Sequence, residues 1–274
     1  MENFIMPARP ENSNKGTFGK VLNISGCDNY IGAAYLSSLA ALKVGAGLVA
    51  LSSTKKVTDS VSKLLPEAVY LERKQGLKDI ENYTVYLIGC GLGQTKQSKK
   101  DFIQFMKKIS KQDKPTVIDA DGLNILSEIK EKNDLQLSLP QNTIITPHPM
   151  EGARLLGVKL NDVLNNLEDS ARELSKKYKV ITVLKTHRTI ITDGQQLSVN
   201  QFGNSALAKA GTGDVLAGII SGLLAQNTEH YESARLGVYL HSRAGEIASN
   251  DLTEYSVLAT DVIRYLPNAI KGII

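Results

Sequence analysis

Short runs of β-branched and other apolar residues, each followed by a longer amphipathic stretch, recur along this chain. Val21 to Ile24 predicts a strand and Ile31 to Val44 a helix with small residues on its packing face. Gly47 to Leu51 and Lys55 to Leu65 repeat the pair, and Val85 to Ile88 precedes a helix from Ser98 to Ser110. Thr116 to Ile118, Thr143 to Ile145 and Val180 to Leu184 are further strands of the same kind. Apolar runs this short, flanked by helices, imply an α/β fold: a mostly parallel central sheet with helices on both faces. Thr189 to Val199 reads as a hairpin turning at Asp193-Gly194, and Gly213 opens a long C-terminal helical region. No internal repeat, low-complexity linker or compositional break divides the chain, so residues 1–274 read as one domain.

Composition removes several alternatives. With 32 basic and 28 acidic side chains the net charge is +4, which favours anionic ligands slightly and is far from a nucleic-acid footprint. Lys99-Lys100 and Lys176-Lys177 fall on helix surfaces and read as solvated faces. The two cysteines, Cys27 and Cys90, make neither a disulfide scaffold nor a zinc-ligand spacing, and read as small semi-buried residues. Met1 to Gly19 is polar, holds Pro7 and Pro10, and lacks the order of a signal peptide; no apolar run reaches membrane-spanning length. The expected compartment is a reducing cytoplasm, with neither nucleic acid nor membrane as partner.

The strand ends carry the chemistry. Glycines, aspartates, a histidine and a lysine collect where open α/β sheets bind ligands: Gly89 to Gly93, Asp119, Asp121, His148 and Lys185. Gly211-Thr212-Gly213-Asp214 then feeds directly into the apolar helix from Val215. A helix start offers free N–H groups and a positive dipole end, so Gly211, Thr212 and Gly213 form a candidate anion hole. A β-branched residue at 213 is expected to block phosphate and to resist the backbone angles of the turn. Asp214, in the first turn, can accept a hydroxyl proton as that oxygen attacks phosphorus, or can be a plain helix cap. His148, set between Pro147 and Pro149, cannot lie in a regular helix and is expected to face the crevice. Glu151 either organises a magnesium ion through water or caps the helix that starts there. Asp119 and Asp121 leave the same alternatives open: Asp119, at a strand end, organises the substrate side or plays a structural part, and Asp121 joins it or caps a helix from Gly122 to Ser127. A dinucleotide-binding Gly-x-Gly-x-x-Gly is absent, because Gly89, Gly91 and Gly93 have the wrong spacing.

Gly211 to Asp214 resembles the Gly-x-Gly-Asp signature of ribokinase-like kinases. The longer run Asn204-Ser205-Ala206-Leu207-Ala208-Lys209-Ala210-Gly211-Thr212-Gly213-Asp214-Val215-Leu216-Ala217-Gly218 resembles the NAD(P)H-hydrate dehydratases. Six further segments agree in order: Gly26 to Ala34, Val44 to Val49, Leu65 to Ala68, Gly89 to Gly93, Asp119 to Asn124, and Thr146 to Pro149. The resemblance runs from about Lys15 to the C-terminus. It implies a ribokinase-like fold and an enzyme that uses ADP or ATP, with Mg²⁺, to phosphorylate the C6 hydroxyl of a hydrated nicotinamide ring. Phosphate is then eliminated to restore NADH or NADPH. The substrate it implies is the S epimer, with ADP giving AMP preferred over ATP giving ADP.

By the same resemblance Asp214 activates the hydroxyl, and Ala33, Gly91 and His148 contact the hydrated dinucleotide. Lys185, Thr186, His187, Arg188 and Thr189 line the nucleotide, with Gly213 near its phosphates. A separate NAD(P)H-hydrate epimerase is the implied partner, and a homo-oligomer, a tetramer, the implied assembly. Three departures stand out. The usual Lys-Gly-x-x-Thr reads Lys185-Thr186-His187-Arg188-Thr189, His-Pro-Gly-Glu reads His148-Pro149-Met150-Glu151, and Gly-Pro-Gly reads Gly89-Cys90-Gly91. Two other readings compete: a small-molecule kinase of the hydroxyethylthiazole or hydroxymethylpyrimidine type, which would leave a phosphorylated product, and a non-catalytic nucleotide sensor, which the presence of Asp214 disfavours.

Overall fold

A computed structural model describes residues 4–131 and 139–274. The first three residues of the polar N-terminal stretch, on which the absence of a signal peptide was read, lie outside the described residues. The strands are β1 (Lys20–Ile24), β2 (Leu48–Ser53), β3 (Val69–Glu72), β4 (Val85–Ile88), β5 (Thr116–Ile118), β6 (Thr143–Ile145), β7 (Ile181–Leu184), β8 (Ile190–Thr192) and β9 (Leu197–Val199). They form one nine-stranded sheet in the order β3-β2-β1-β4-β5-β6-β7-β8-β9. Pairing is parallel from β3 through β7, and β8 and β9 continue antiparallel as the hairpin.

The helices are α1 (Ile31–Val44), α2 (Lys55–Val61), α3 (Arg73–Lys78), α4 (Lys96–Ile109), α5 (Asp121–Glu131), α6 (Pro149–Leu156), α7 (Leu160–Asn165), α8 (Leu167–Tyr178), α9 (Thr212–Ala225), α10 (His230–Leu252) and α11 (Ala259–Lys271). Side chains alternate across a strand, so the apolar runs feed two faces. Leu22, Ile24, Tyr86, Ile88, Ile118 and Ile145 pack against Phe102, Phe105 and Met106 of α4 and Leu123 and Leu126 of α5. Val21, Val49, Leu87, Val117, Ile144 and Val183 pack on the opposite face against Leu216, Ala217, Ile220 and Leu224 of α9. α9 lies so close to α1 that a Cβ at Gly218 would stand 2.3 Å from the Ser37 carbonyl oxygen. The small residues of both helices are therefore a packing requirement.

Several boundaries differ from the sequence reading. α2 stops at Val61 and not Leu65. β2 runs on to Ser53, α4 begins at Lys96 on a Thr95 cap, and the C-terminal helical region is three helices. Asp121 does not cap a helix. Its carboxylate accepts hydrogen bonds from the Gly93 N–H at 2.8 Å and from Gln94 Nε2 at 3.2 Å, tying the loop after β4 to the start of α5. Strand order reverses between β1 and β4, a switch point, and the loops at the carboxyl ends of β1, β4, β5, β6 and β7 gather on that edge.

Candidate active site

A cavity of about 840 Å³ opens between the loop after β7, the start of α9 and one face of α10. Its wall holds His148, Lys185, Thr186, His187, Arg188, Thr189, Thr212 and Gly213, all anticipated from the sequence. Ala33, Gly91, Gly211 and Asp214 lie outside that wall. Ala33 and Gly91 instead meet each other: Gly91 has φ +58°, and a Cβ there would lie 2.7 Å from Ala33 Cβ. The site is thus two adjoining parts, one around Ala33 and Gly91 and one around the cavity.

At the start of α9 the Thr212 N–H donates to the Lys209 carbonyl at 3.4 Å, and the N–H groups of Gly213 and Asp214 have no backbone acceptor among the described residues. Gly211 is its N-cap, held left-handed at φ +92°, and makes no side-chain cap. The Thr212 hydroxyl donates to the carbonyls of Leu207 and Lys209, both at 2.8 Å, so it secures the preceding loop and leaves the anion hole to backbone N–H groups. Gly213 has no left-handed angle; a Cβ added there would stand 3.4 Å from Lys185 Nζ. The expectation of unusual backbone angles at 213 is therefore corrected: glycine keeps space open in front of Lys185.

A compact group of ionisable residues lies behind this helix start. Asp119 is only 1% exposed, and its Oδ1 accepts from Lys185 Nζ at 2.6 Å. Burial works against the Lys185 charge, but Asp119 and Glu151 outweigh it and hold the ammonium above its ordinary value. Glu151 is pushed up to about 7, mainly by burial, with Lys185 opposing and Asp119 adding. Its Oε2 accepts from the His148 backbone N–H at 2.9 Å while His148 Nδ1 accepts from Met150 N at 3.2 Å and Glu151 N at 3.4 Å. The pair forms a capping box on α6. His148 is kept below its ordinary value by burial and then by Lys185.

Asp214 occupies the first turn of α9 and is pushed up to about 6. Burial is the main cause and Asp119 adds to it; a hydrogen bond from Cys90 and the Lys185 charge pull the other way. Cys90 is fully buried after β4, and burial followed by the nearby carboxylates pushes its thiol well above the ordinary range. The residue read as merely small is thus a neutral donor to Asp214.

The loop after β7 closes on itself, with Thr186 Oγ1 donating to the Arg188 carbonyl at 2.6 Å and Thr189 Oγ1 to the Thr186 carbonyl at 3.2 Å. The Arg188 guanidinium donates to the Gln201 side chain. Sequence reasoning missed the far wall: Gln201, Phe202, Leu216, Val238, His241 and Ser242. The one available signal was His241, a histidine following the apolar run Val238-Tyr239-Leu240.

A doubly covered, mostly parallel sheet, a helix that starts within Gly211-Thr212-Gly213 without a side-chain cap, and a carboxylate in its first turn define a ribokinase-like α/β protein. The NAD(P)H-hydrate dehydratase family profile matches residues 21–268, and the chain belongs to that family. It is 36% identical over 245 residues to the ADP-dependent (S)-NAD(P)H-hydrate dehydratase of Neisseria meningitidis, covering 89% of this chain and 81% of that protein. It is 35% identical over 266 residues to a bifunctional NAD(P)H-hydrate repair enzyme of Coxiella burnetii, covering 96% of this chain and 52% of that protein. The chain thus spans about half the length of its bifunctional relatives. The crystal structure of an ADP/ATP-dependent NAD(P)H-hydrate dehydratase from Bacillus subtilis, co-crystallised with ATP and Mg²⁺, superposes with a TM-score of 0.86 at 30% identity, covering 98% of this chain and 95% of that one.

Proposed function

We propose that this chain dehydrates the S epimer of NAD(P)H hydrate at the expense of ADP, forming NAD(P)H, AMP and phosphate. The observation that carries the reading is Asp214: a carboxylate raised to about 6, one residue beyond Gly213, at a helix start where the N–H groups of Gly213 and Asp214 have no backbone acceptor among the described residues. In this reading the cavity takes the nucleotide, and Ala33 and Gly91 border the dinucleotide. The carboxylate accepts the proton of the C6 hydroxyl as that oxygen forms a bond to the terminal phosphorus. The bond from that phosphorus to its bridging oxygen breaks, and the electron pair leaves with AMP. The N–H groups at the start of α9 and the Lys185 ammonium hold the transferring group while its charge redistributes. The ring nitrogen's lone pair then expels phosphate as the C6–O bond breaks, and loss of a C5 proton restores the ring double bond.

The residues present fit a magnesium ion that travels with the nucleotide. Among the described residues no group of three histidine, cysteine or carboxylate ligands forms a cage. One Asp119 oxygen nonetheless faces the helix start, 3.8 Å from the position a Gly213 Cβ would take. Asp119 and Glu151 would hold such an ion through its waters, and it would offset charge on the phosphate oxygens. The residues at 1–274 act as one domain in this reading, as a cytoplasmic homo-oligomer supplied with the S epimer by an NAD(P)H-hydrate epimerase. Among the described residues no helix is long and apolar enough to cross a membrane.

The test is incubation of the purified chain with hydrated NADH or NADPH, Mg²⁺ and either ADP or ATP. Return of the dihydronicotinamide absorbance together with free phosphate is expected, faster with ADP. A stable phosphorylated product would place the chain among the kinases, and no turnover with either nucleotide would sink the reading.

A further inference from the structure

Phe202 follows β9, lines the cavity and is 37% exposed. Its ring is nonetheless held in place by side chains of α10. Tyr239 meets it at right angles, with ring centroids 5.1 Å apart, and Tyr239 itself packs on Phe4, 4.5 Å away. The Arg243 guanidinium lies over the Phe202 ring, 5.3 Å from its centroid, and is fixed in turn by Glu246. The backbone around the ring is tied to α10 as well. Asn200 Nδ2 donates to the Phe202 carbonyl at 2.7 Å and to Ser242 Oγ at 3.0 Å, and the Gly203 N–H donates to Glu246 Oε1 at 2.7 Å. An aromatic ring is thus oriented on a cavity wall with more than a third of its surface bare.

Leaving a large apolar ring uncovered forgoes hydrophobic stabilisation, and holding it still costs side-chain entropy. A fixed, bare ring inside a cavity therefore points to a flat apolar group that covers it. The inference rests on the nucleotide reading of this cavity, in which the phosphates sit at the α9 start and the ribose is polar. The base is then the one flat aromatic group the ligand offers. We propose that the adenine ring of the nucleotide stacks on Phe202. A cavity of about 840 Å³ has room for phosphates beside Gly213 and Lys185 and for the base on the opposite wall. Because Tyr239 and Arg243 already hold the ring, little further order is needed on binding. Stacking engages the face of a base and not its hydrogen-bonding edge, so Phe202 is a binding residue for purines as a class.

The chain has no tryptophan, so Phe202→Trp introduces a single indole reporter at this position. Its fluorescence should be quenched on titration with ADP, and calorimetry should find an ADP affinity equal to or above that of wild type. Phe202→Leu keeps an apolar side chain and loses the aromatic face. It should bind ADP about tenfold more weakly, with its unliganded melting temperature and circular dichroism unchanged. Wild-type affinity in Phe202→Leu, or Phe202→Trp fluorescence that saturating ADP leaves unmoved, would overturn the stacking assignment alone. Fluorescence that responds to protein dilution and not to ADP would set the ring against a second copy of the chain, and overturn it too. Failure of wild type to bind ADP at all would overturn the nucleotide reading and this inference with it. The fluorescence titration stands even where Phe202→Leu does not fold.

Discussion

A general base works only when ionised, so the environment of Asp214 sets a pH limit on turnover. With its carboxyl at about 6, the rate should fall as pH drops through that value and level off above it. Cys90 contributes to that position, because its thiol hydrogen bond favours the carboxylate. Cys90→Ala should therefore move the acid limb of the pH–rate profile upward, and Cys90→Ser should restore it; an unmoved limb in Cys90→Ala would detach the thiol from the base. Asp214→Asn should lower kcat about 10²–10⁴-fold with nucleotide affinity nearly intact. The same carboxylate affects stability. A raised folded pKa means the folded state binds the extra proton, so stability is full below the ordinary carboxylate range and is lost as pH rises through about 6. Asp214→Asn should accordingly gain stability at neutral pH, on the order of 2 kcal/mol, read as a higher denaturation midpoint. An inactive variant that is also more stable is the signature of a base; a folding cap would lose stability instead.

The elements legible in the sequence were those whose pattern follows directly from burial. β1, β4, β5, β6 and β7 are short apolar runs because both faces of the central sheet are covered. β3 was not legible: Val69 to Glu72 lies at the sheet edge with exposed ends and half-buried middle residues, leaving no apolar run to read. α3, which follows it, is six residues long and too short for a periodic signal. Yet α3 braces the ends of β1 and β2 through Arg73, whose guanidinium donates to the carbonyls of Ser52 at 2.7 Å, Ser25 at 3.1 Å and Gly26 at 2.7 Å. Burial pulls its pKa down to about 10, with Asp101 opposing. Arg73→Met should destabilise by about 2–4 kcal/mol, since it strands buried carbonyls in the turn after β1; a denaturant midpoint within error of wild type would reduce Arg73 to a surface residue. The start of α9 behaves differently. Gly213→Val meets Lys185 Nζ without backbone strain, so it should fold normally and lose nucleotide affinity, separating access from conformation by calorimetry and circular dichroism.

Across the whole molecule, the edge where the parallel strands end was legible because ligand-binding residues concentrate there, whatever the details of each loop. What could not be read was the opposite wall, because Gln201, Phe202 and His241 come near Lys185 only through the packing of α9 against α10 and the return of the chain after β9. A ligand in that cavity joins β7, α9 and α10, which belong to different parts of the core, and should stabilise them together. At 100 times its dissociation constant, ADP should add about 2.7 kcal/mol and raise the melting temperature by roughly 5 °C or more. Arg188 gives this prediction its electrostatic arm. Its side chain is exposed at the cavity mouth and already rests on Gln201, so its attraction for phosphate is a screened one. Arg188→Ala should weaken ADP binding about fivefold at low ionic strength and much less at high salt, and should reduce the ADP-induced rise in melting temperature at a fixed nucleotide concentration. Lys185 supplies the contrast. It is enclosed with Asp119, so the effect of Lys185→Met on ADP affinity should persist at both salt concentrations. A salt-independent loss in Arg188→Ala would place its guanidinium inside the cavity in the bound state, and no loss at low salt would leave it as a solvent-facing residue held by Gln201.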